Sequence, residues 1–280
     1  MILFFGCATS KKEENYSAKQ LLQIGKRLAK KEDSEKAKAK IQQLMEGYPD
    51  SKERVAATML LADIHFKEEE YEEAIFHYQK FTELYPAHQF VDRAHFYKAM
   101  SNFKLTDLAS RDLTPVNSAL EGFQRFIEDF PKSSYAKPAQ LKITQCLDIL
   151  AQNIFEIGKF YYRTGSYQSA IQRFKRLKVT YPNHAYILEA NFLLGESYFH
   201  EQNFSEATAY YKNIIRRDRR SEFAKEARLR LKTLRWTQKI MPKSPKQKLA
   251  KRSSPAKSKE PNHDPLTQYM AEIGKIKILT

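Results

Sequence analysis

The chain has 280 residues, 48 Lys or Arg against 33 Asp or Glu, eight glycines and two cysteines. Few glycines and no alternating β-branched runs leave no need for a β-domain, and two cysteines exclude a disulfide framework. The charge excess of +15 sits at one end: residues 1–211 carry 28 basic against 27 acidic side chains, whereas residues 212–261 carry 18 against 4. No apolar run approaches the roughly 20 residues that span a bilayer.

Met1 to Cys7 reads Met-Ile-Leu-Phe-Phe-Gly-Cys, and a polar stretch from Ser10 to Asn15 follows. That order resembles the end of a bacterial lipoprotein signal peptide. It would make Cys7 the lipidated first residue of the mature chain and residues 1–16 a signal end, anchor and linker. The charged n-region and most of the apolar core of such a peptide are missing, as a start assigned too far downstream produces. The plainer alternative is an apolar terminus with a chance cysteine.

Four aromatic-proline steps follow, Tyr48-Pro49, Tyr85-Pro86, Phe130-Pro131 and Tyr181-Pro182. Each has an alanine twelve positions before its proline: Ala37, Ala74, Ala119 and Ala170. Gly25, Ala62 and Gly158 lie 24 before three of the prolines, and Ile41, Tyr78, Phe123 and Phe174 lie eight before all four. A fifth unit keeps Gly195, Tyr198, Ala207 and Tyr211 without the proline. The small residues mark where two antiparallel helices approach most closely. The minus 8 residue is expected to fill the space between one pair and the next, and proline ends the second helix by pushing its predecessor out of the α region. The pattern resembles the tetratricopeptide repeat. It predicts an all-α, superhelical solenoid of about five helix pairs, with residues 17–135 holding repeats 1–3 and residues 136–241 repeats 4–5 and a cap.

In such pairs one face of each first helix is expected to line a groove: Lys19, Leu22, Lys26 and Ala29 in repeat one, and Ala56, Met59, Asp63 and Phe66 in repeat two. Met59 and Phe66 would offer adaptable apolar contact, and Lys19 and Lys26 would meet a peptide carboxylate. An ordinary solvated groove is the alternative. His65 holds a normally aromatic position and is expected to pack, and the Glu68 to Glu70 run is expected to be a solvated turn. Repeat three carries an enlarged turn, Leu105 to Pro115. Repeat four opens with a long helix, roughly Ala136 to Arg163, which carries Cys146 as a small core residue. Arg173, Arg176 and Lys178 with Arg216 and Arg217 are candidate partner contacts.

Glu222 to Ile240 shows an apolar stripe, Ala224, Ala227, Leu231 and Leu234, which predicts a capping helix on the last repeat. Residues 242–280 form a tail, rich in Lys, Ser, Pro and Ala as far as Pro261 and expected to be disordered there. Leu266 to Leu279 could form one apolar helical face or share that disorder. The seven histidines show no paired-ligand spacing, no Gly-rich phosphate loop appears, and no pair of groups has general acid-base spacing. We therefore expect no metal, no cofactor and no enzyme. The tail lacks the aromatic interleaving of a nucleic-acid site, although lysine-rich segments bind polyanions non-specifically.

Several local features resemble the BamD family of outer-membrane lipoproteins over the span from Cys7 to about Ile240. They are the Ser110-Arg111-Asp112 turn, the Phe130-Pro131, Ser133 and Tyr135-Ala136 segment, the helix end from Ile157 to Gly165, and Ala170 to Phe174 with Tyr181-Pro182-Asn183. Ser110 stands where that family usually has an acid, and Gln172 where it has Asn. The resemblance implies a lipid-anchored periplasmic adaptor at the outer membrane. Such a protein binds the POTRA region of the insertase BamA through its C-terminal repeats, receives unfolded barrel proteins near its N-terminal repeats, and joins other assembly-complex lipoproteins. Arg111 and Asp112 are its family turn. A periplasmic repeat scaffold similar to the cell-division coordinator family shares the helix pairs but not the long fourth-repeat helix.

Overall fold

The computed structural model describes residues 15–108 and 112–240. Among them are eleven α-helices and no strand: α1 Ala18–Lys30, α2 Ser34–Gly47, α3 Glu53–Lys67, α4 Tyr71–Leu84, α5 Val91–Leu108, α6 Thr114–Asp129, α7 Ala136–Arg163, α8 Tyr167–Thr180, α9 Ile187–His200, α10 Phe204–Arg217 and α11 Glu222–Ile240. Successive helices pair as tetratricopeptide units, α1 with α2 through α9 with α10, and α11 packs on the last pair. The chain divides into two compact units within α7, residues 1–147 and 148–280. None of these helices is long and apolar enough to cross a membrane.

Helix ends follow from sequence. Ser17 caps α1 in a reciprocal capping box with Gln20. Tyr48, Tyr85, Phe130 and Tyr181 close α2, α4, α6 and α8 with φ of −135°, −132°, −128° and −131° and ψ near +60°, outside the helical region, as the following prolines require. Within four pairs the turn places one residue in the left-handed region: Glu32, Glu69, Gly165 and Gln202, at φ of 62°, 62°, 77° and 57°. The next amide then reaches back to the first helix, Asp33 to Leu28 O, Glu70 to His65 O, Ser166 to Tyr161 O and Asn203 to Tyr198 O. This satisfies carbonyls the helix end would leave open.

In the C-terminal unit the two helices of a pair touch through an aromatic ring over a glycine. A Cβ on Gly158 would stand 2.6 Å from Phe174 Cε1, and one on Gly195 would stand 2.7 Å from Tyr211 Cε1. Ile41 does the same over Gly25 at 2.5 Å. The minus 8 residue therefore packs chiefly within its own pair, which corrects the expectation that it fills the gap to the next. Tyr78 does both, stacking also on Tyr97 of α5.

Two further expectations change. The enlarged turn is shorter than Leu105 to Pro115, because α5 continues to Leu108 and α6 opens at Thr114 with Pro115 in its first turn, where a missing N–H costs nothing. The Glu68 to Glu70 run is not simply solvated. Glu68 accepts from Ser34 Oγ at 2.5 Å, and Glu70 accepts from Lys38 Nζ at 2.9 Å, so both tie the turn to α2. The expected tail and its terminal segment lie outside the described residues.

Gly195→Ala should lower unfolding stability by about 1–3 kcal/mol, since Tyr211 is fully buried and cannot yield, even though alanine favours a helix by about 1 kcal/mol. Gly47→Ala, with nothing within 4 Å of its Cβ, should be neutral or stabilising. Chemical denaturation of both variants measures the difference, and equal midpoints would refute the close-approach argument.

Candidate functional site

In the N-terminal unit the groove positions divide into two groups. Lys19 and Lys26 are exposed on α1 and make no ion pair among the described residues. Leu22 is partly buried beside them. Met59 is only 6% exposed and belongs to the core formed with Ala62, Ala74, Tyr78 and Phe81. Phe66 packs edge-on against Tyr71 and Tyr97. Asp63 accepts from Tyr78 Oη at 2.7 Å and from Arg93 at 2.8 Å. The open-face placement of Met59 is thus corrected, since it lies in the core, whereas Asp63 and Phe66 stay half-exposed beside Arg93 and Tyr97 of α5. The Arg93 guanidinium lies 5.0 Å over the Tyr97 ring.

That cluster has a counterpart in the C-terminal unit. Glu196, 2% exposed, accepts from Tyr211 Oη at 2.6 Å and takes Arg230 of α11 in a two-pronged pair, Nε and Nη2 each reaching a carboxylate oxygen at 2.8 Å. In both clusters the acid follows the small residue of the first helix and the tyrosine sits fifteen positions later. Of the three minus 8 residues without a hydroxyl, Ile41 and Phe174 have a lysine fifteen positions before them, Lys26 and Lys159, and Phe123 has Leu108. Burial first, then the carboxylate beside it, pushes the pKa of both Tyr78 and Tyr211 well above the usual phenol value, so each phenol stays a donor. This acid and tyrosine spacing was a readable signal that groove reasoning missed.

His65 stacks on His77 at 5.0 Å and meets Glu70 through Nδ1 at 2.5 Å. Its expected packing role is what the structure shows. Burial, then the neighbouring His65 and Lys80 charges, pushes His77 down to about 4. Cys146 is buried, and desolvation pushes its thiol up to about 12, which leaves it inert. Among the described residues no group of His, Cys, Asp and Glu could hold a metal.

Among the candidate partner contacts, Arg176, Lys178, Arg216 and Arg217 are exposed and Arg173 is half-buried. Arg173 and Arg176, three apart, share one side of α8. Lys178 turns with Lys175 to another side, where they lie over the stacked rings of Tyr210 and Tyr198. Asp112 accepts from the Thr114 amide at 2.8 Å and shapes the start of α6, while Arg111 and Cys7 lie outside the described residues. Ser133 Oγ donates to Asp92 at 2.6 Å, locking the Phe130-Pro131 turn to α5. Sequence reasoning also missed a depression of about 340 Å³ on another side of α1, lined by Tyr16, Gln20, Gln23, Ile24 and Arg27.

Paired helices with ring-over-glycine contacts and proline stops define a tetratricopeptide-repeat protein, and a tetratricopeptide repeat model matches residues 189–221. The chain belongs to the YfiO family, described as outer membrane lipoprotein, whose model matches residues 14–201. Similar curated proteins carry the name outer membrane protein assembly factor BamD. That of Xylella fastidiosa is 25% identical over 215 residues, 72% of this chain and 74% of the relative. That of Rickettsia prowazekii is 28% identical over 211 residues, 74% and 84%. That of Caulobacter vibrioides is 31% identical over 134 residues, 48% and 44%. Among solved structures, the tetratricopeptide protein YrrB is 16% identical, covering 76% of this chain and 92% of its own with a TM-score of 0.35.

Arg230→Ala should cost about 2–3 kcal/mol, because it leaves the buried Glu196 charge with only Tyr211, and adding Glu196→Gln should recover part of that loss. A double-mutant cycle in urea measures it, and additive costs would refute a coupled clamp. The pH dependence has its own sign. Because the folded His77 resists protonation, the unfolded chain binds the proton first, so stability falls as pH drops from about 6.5 towards about 4. For a half-buried ring the loss is about 1 kcal/mol. His77→Gln should flatten the slope between pH 6.5 and 5, read from urea midpoints at each pH.

Proposed function

We propose that the chain is a non-enzymatic periplasmic adaptor of outer-membrane β-barrel assembly, held to the membrane by lipid on Cys7. The observation that carries this reading is the family match over residues 14–201 together with curated relatives named as BamD. In this reading Arg173, Arg176, Lys178, Arg216 and Arg217 of the C-terminal unit meet an acidic face of the BamA POTRA region. Such charges steer association and fix register more than they add affinity. Other assembly-complex lipoproteins join the same scaffold, and no nucleic acid is involved.

Substrate engagement is assigned to α1. Lys19 and Lys26 lie one face apart from water-excluded packing, with Leu22 between them, a fit to an extended peptide ending in an aromatic residue and a carboxylate. Met59 contributes by packing α3 in the core, and Asp63 and Phe66 by joining α3 to α5.

Full-length chain carrying Cys7→Ser should bind its own organism's BamA periplasmic region at low salt, and Arg173→Glu with Arg176→Glu should weaken this about tenfold through slower association. A photoreactive residue at Lys26 should cross-link unfolded barrel-protein C-terminal peptides, and one at buried Met59 should not. Wild-type Cys7 should incorporate labelled fatty acid. Absence of BamA binding by the parent chain would withdraw the assembly role while leaving the fold intact.

A further inference from the structure

α11 is the last described helix, and its two sides differ in kind. Ala224, Ala227 and Leu234 are buried against the C-terminal core, and Arg230 turns inward to Glu196. Lys225, Leu229, Lys232 and Trp236 follow at i, i+4, i+7 and i+11, which places them in one stripe on the side away from that core. Leu229 is 62% exposed and Trp236 67%. Lys225 pairs with Glu222 at 2.5 Å, and Arg228 donates to Arg219 O at 2.7 Å. Arg235 is exposed beside the stripe. Glu226 is the last carboxylate before Glu260, and the 33 residues between them carry twelve Lys or Arg.

The geometry points to this face of α11 as a contact site for a bilayer surface containing anionic phospholipid. An exposed tryptophan and leucine flanked by lysines and arginines is the composition of a helix lying in the membrane interface: the rings and methyls enter the headgroup region while the long cationic side chains reach the phosphates. Charge selects the occupant. A second copy would set the same cationic stripe against itself. A folded acidic patch could match α11 alone, whereas the twelve Lys or Arg between Glu226 and Glu260 favour an extended anionic surface. Membership of an outer membrane lipoprotein family places such a surface nearby. The inference goes beyond the adaptor function and needs no partner protein.

Trp236 is the sole tryptophan of the chain, so its emission reports this face alone. Full-length Cys7→Ser protein mixed with phosphatidylcholine vesicles should stay unbound with unchanged emission. Vesicles containing phosphatidylglycerol should bind it with a blue shift that added salt reverses. Leu229→Ser with Lys232→Glu should weaken binding about tenfold and remove the shift without altering the thermal melt, since both residues are exposed. A chain ending at Met241 should bind more weakly but keep the shift. The proposal is overturned if phosphatidylglycerol leaves the emission unchanged, or if the double variant binds as tightly as the parent. It is also overturned if raising protein concentration alone produces the shift, which would identify a second copy, or if ending the free chain at Met241 moves its emission to the red, which would identify residues 242–280 as the cover. Loss of BamA binding would leave all these readouts untouched.

Discussion

The contact on which the fold depends is the approach of two helix backbones at a small residue roofed by a larger side chain. Gly25 lies under Ile41, Gly158 under Phe174 and Gly195 under Tyr211, and each leaves no room for a methyl group. The rest of a repeat serves that contact. The left-handed residue at 32, 69, 165 or 202 turns the chain back at the length that brings the ring over its partner. The aromatic-proline step then ends the second helix a fixed eight residues past the ring, so the next pair begins in the same register. Three of the four turns use Glu or Gln at positive φ, where glycine would be cheaper by about 1 kcal/mol. The hydrogen bonds back to His65, Leu28 and Tyr198 carbonyls offset part of that cost.

A tyrosine in the roof position brings a hydroxyl into the core, and that hydroxyl must have a partner. Asp63 and Glu196 supply it, and their own buried charge then needs a cation, which arrives from the next helix as Arg93 or Arg230. One aromatic choice therefore propagates through three elements and joins neighbouring repeats. Where the roof is Ile41 or Phe174 the chain of requirements never starts, and the equivalent position is a lysine, Lys26 exposed and Lys159 facing Glu189 at 3.8 Å.

Much of this was legible in the sequence. Spacing from each proline gave the pairs, and the bounds of α7 and α11 agree with what hydrophobic periodicity and the Tyr135-Ala136 and Glu222 starts implied. The groove was less legible, because a helix face can be assigned by periodicity but its cover cannot. Met59 and Asp63 share a face with Ala56 and Phe66, yet Met59 is buried in the core and Asp63 and Phe66 meet Arg93 and Tyr97, about thirty residues on. The Glu68 to Glu70 run misled for the same reason, since composition marks a turn as polar without showing Ser34 and Lys38 opposite it.

These requirements also decide which surfaces stay available for function. Inside the array, side chains on the inner positions are claimed by the next repeat, as Asp63 is by Arg93. Among the described residues, α1 packs on α2 and α3 and α11 packs on α9 and α10. On α1 this leaves Lys19 and Lys26 exposed with Leu22 partly buried between them, and on α11 it leaves Leu229 and Trp236 exposed. A one-dimensional fold ordinarily makes its end faces polar to stay soluble. Here α11 departs from that rule with two large apolar side chains, and it does so where the carboxylates that balance basic residues elsewhere in the chain run out. An apolar pair in a cationic setting is a poor surface for bulk water and a good one for an anionic, amphipathic boundary, so this face of α11 serves something other than the packing of its own repeat.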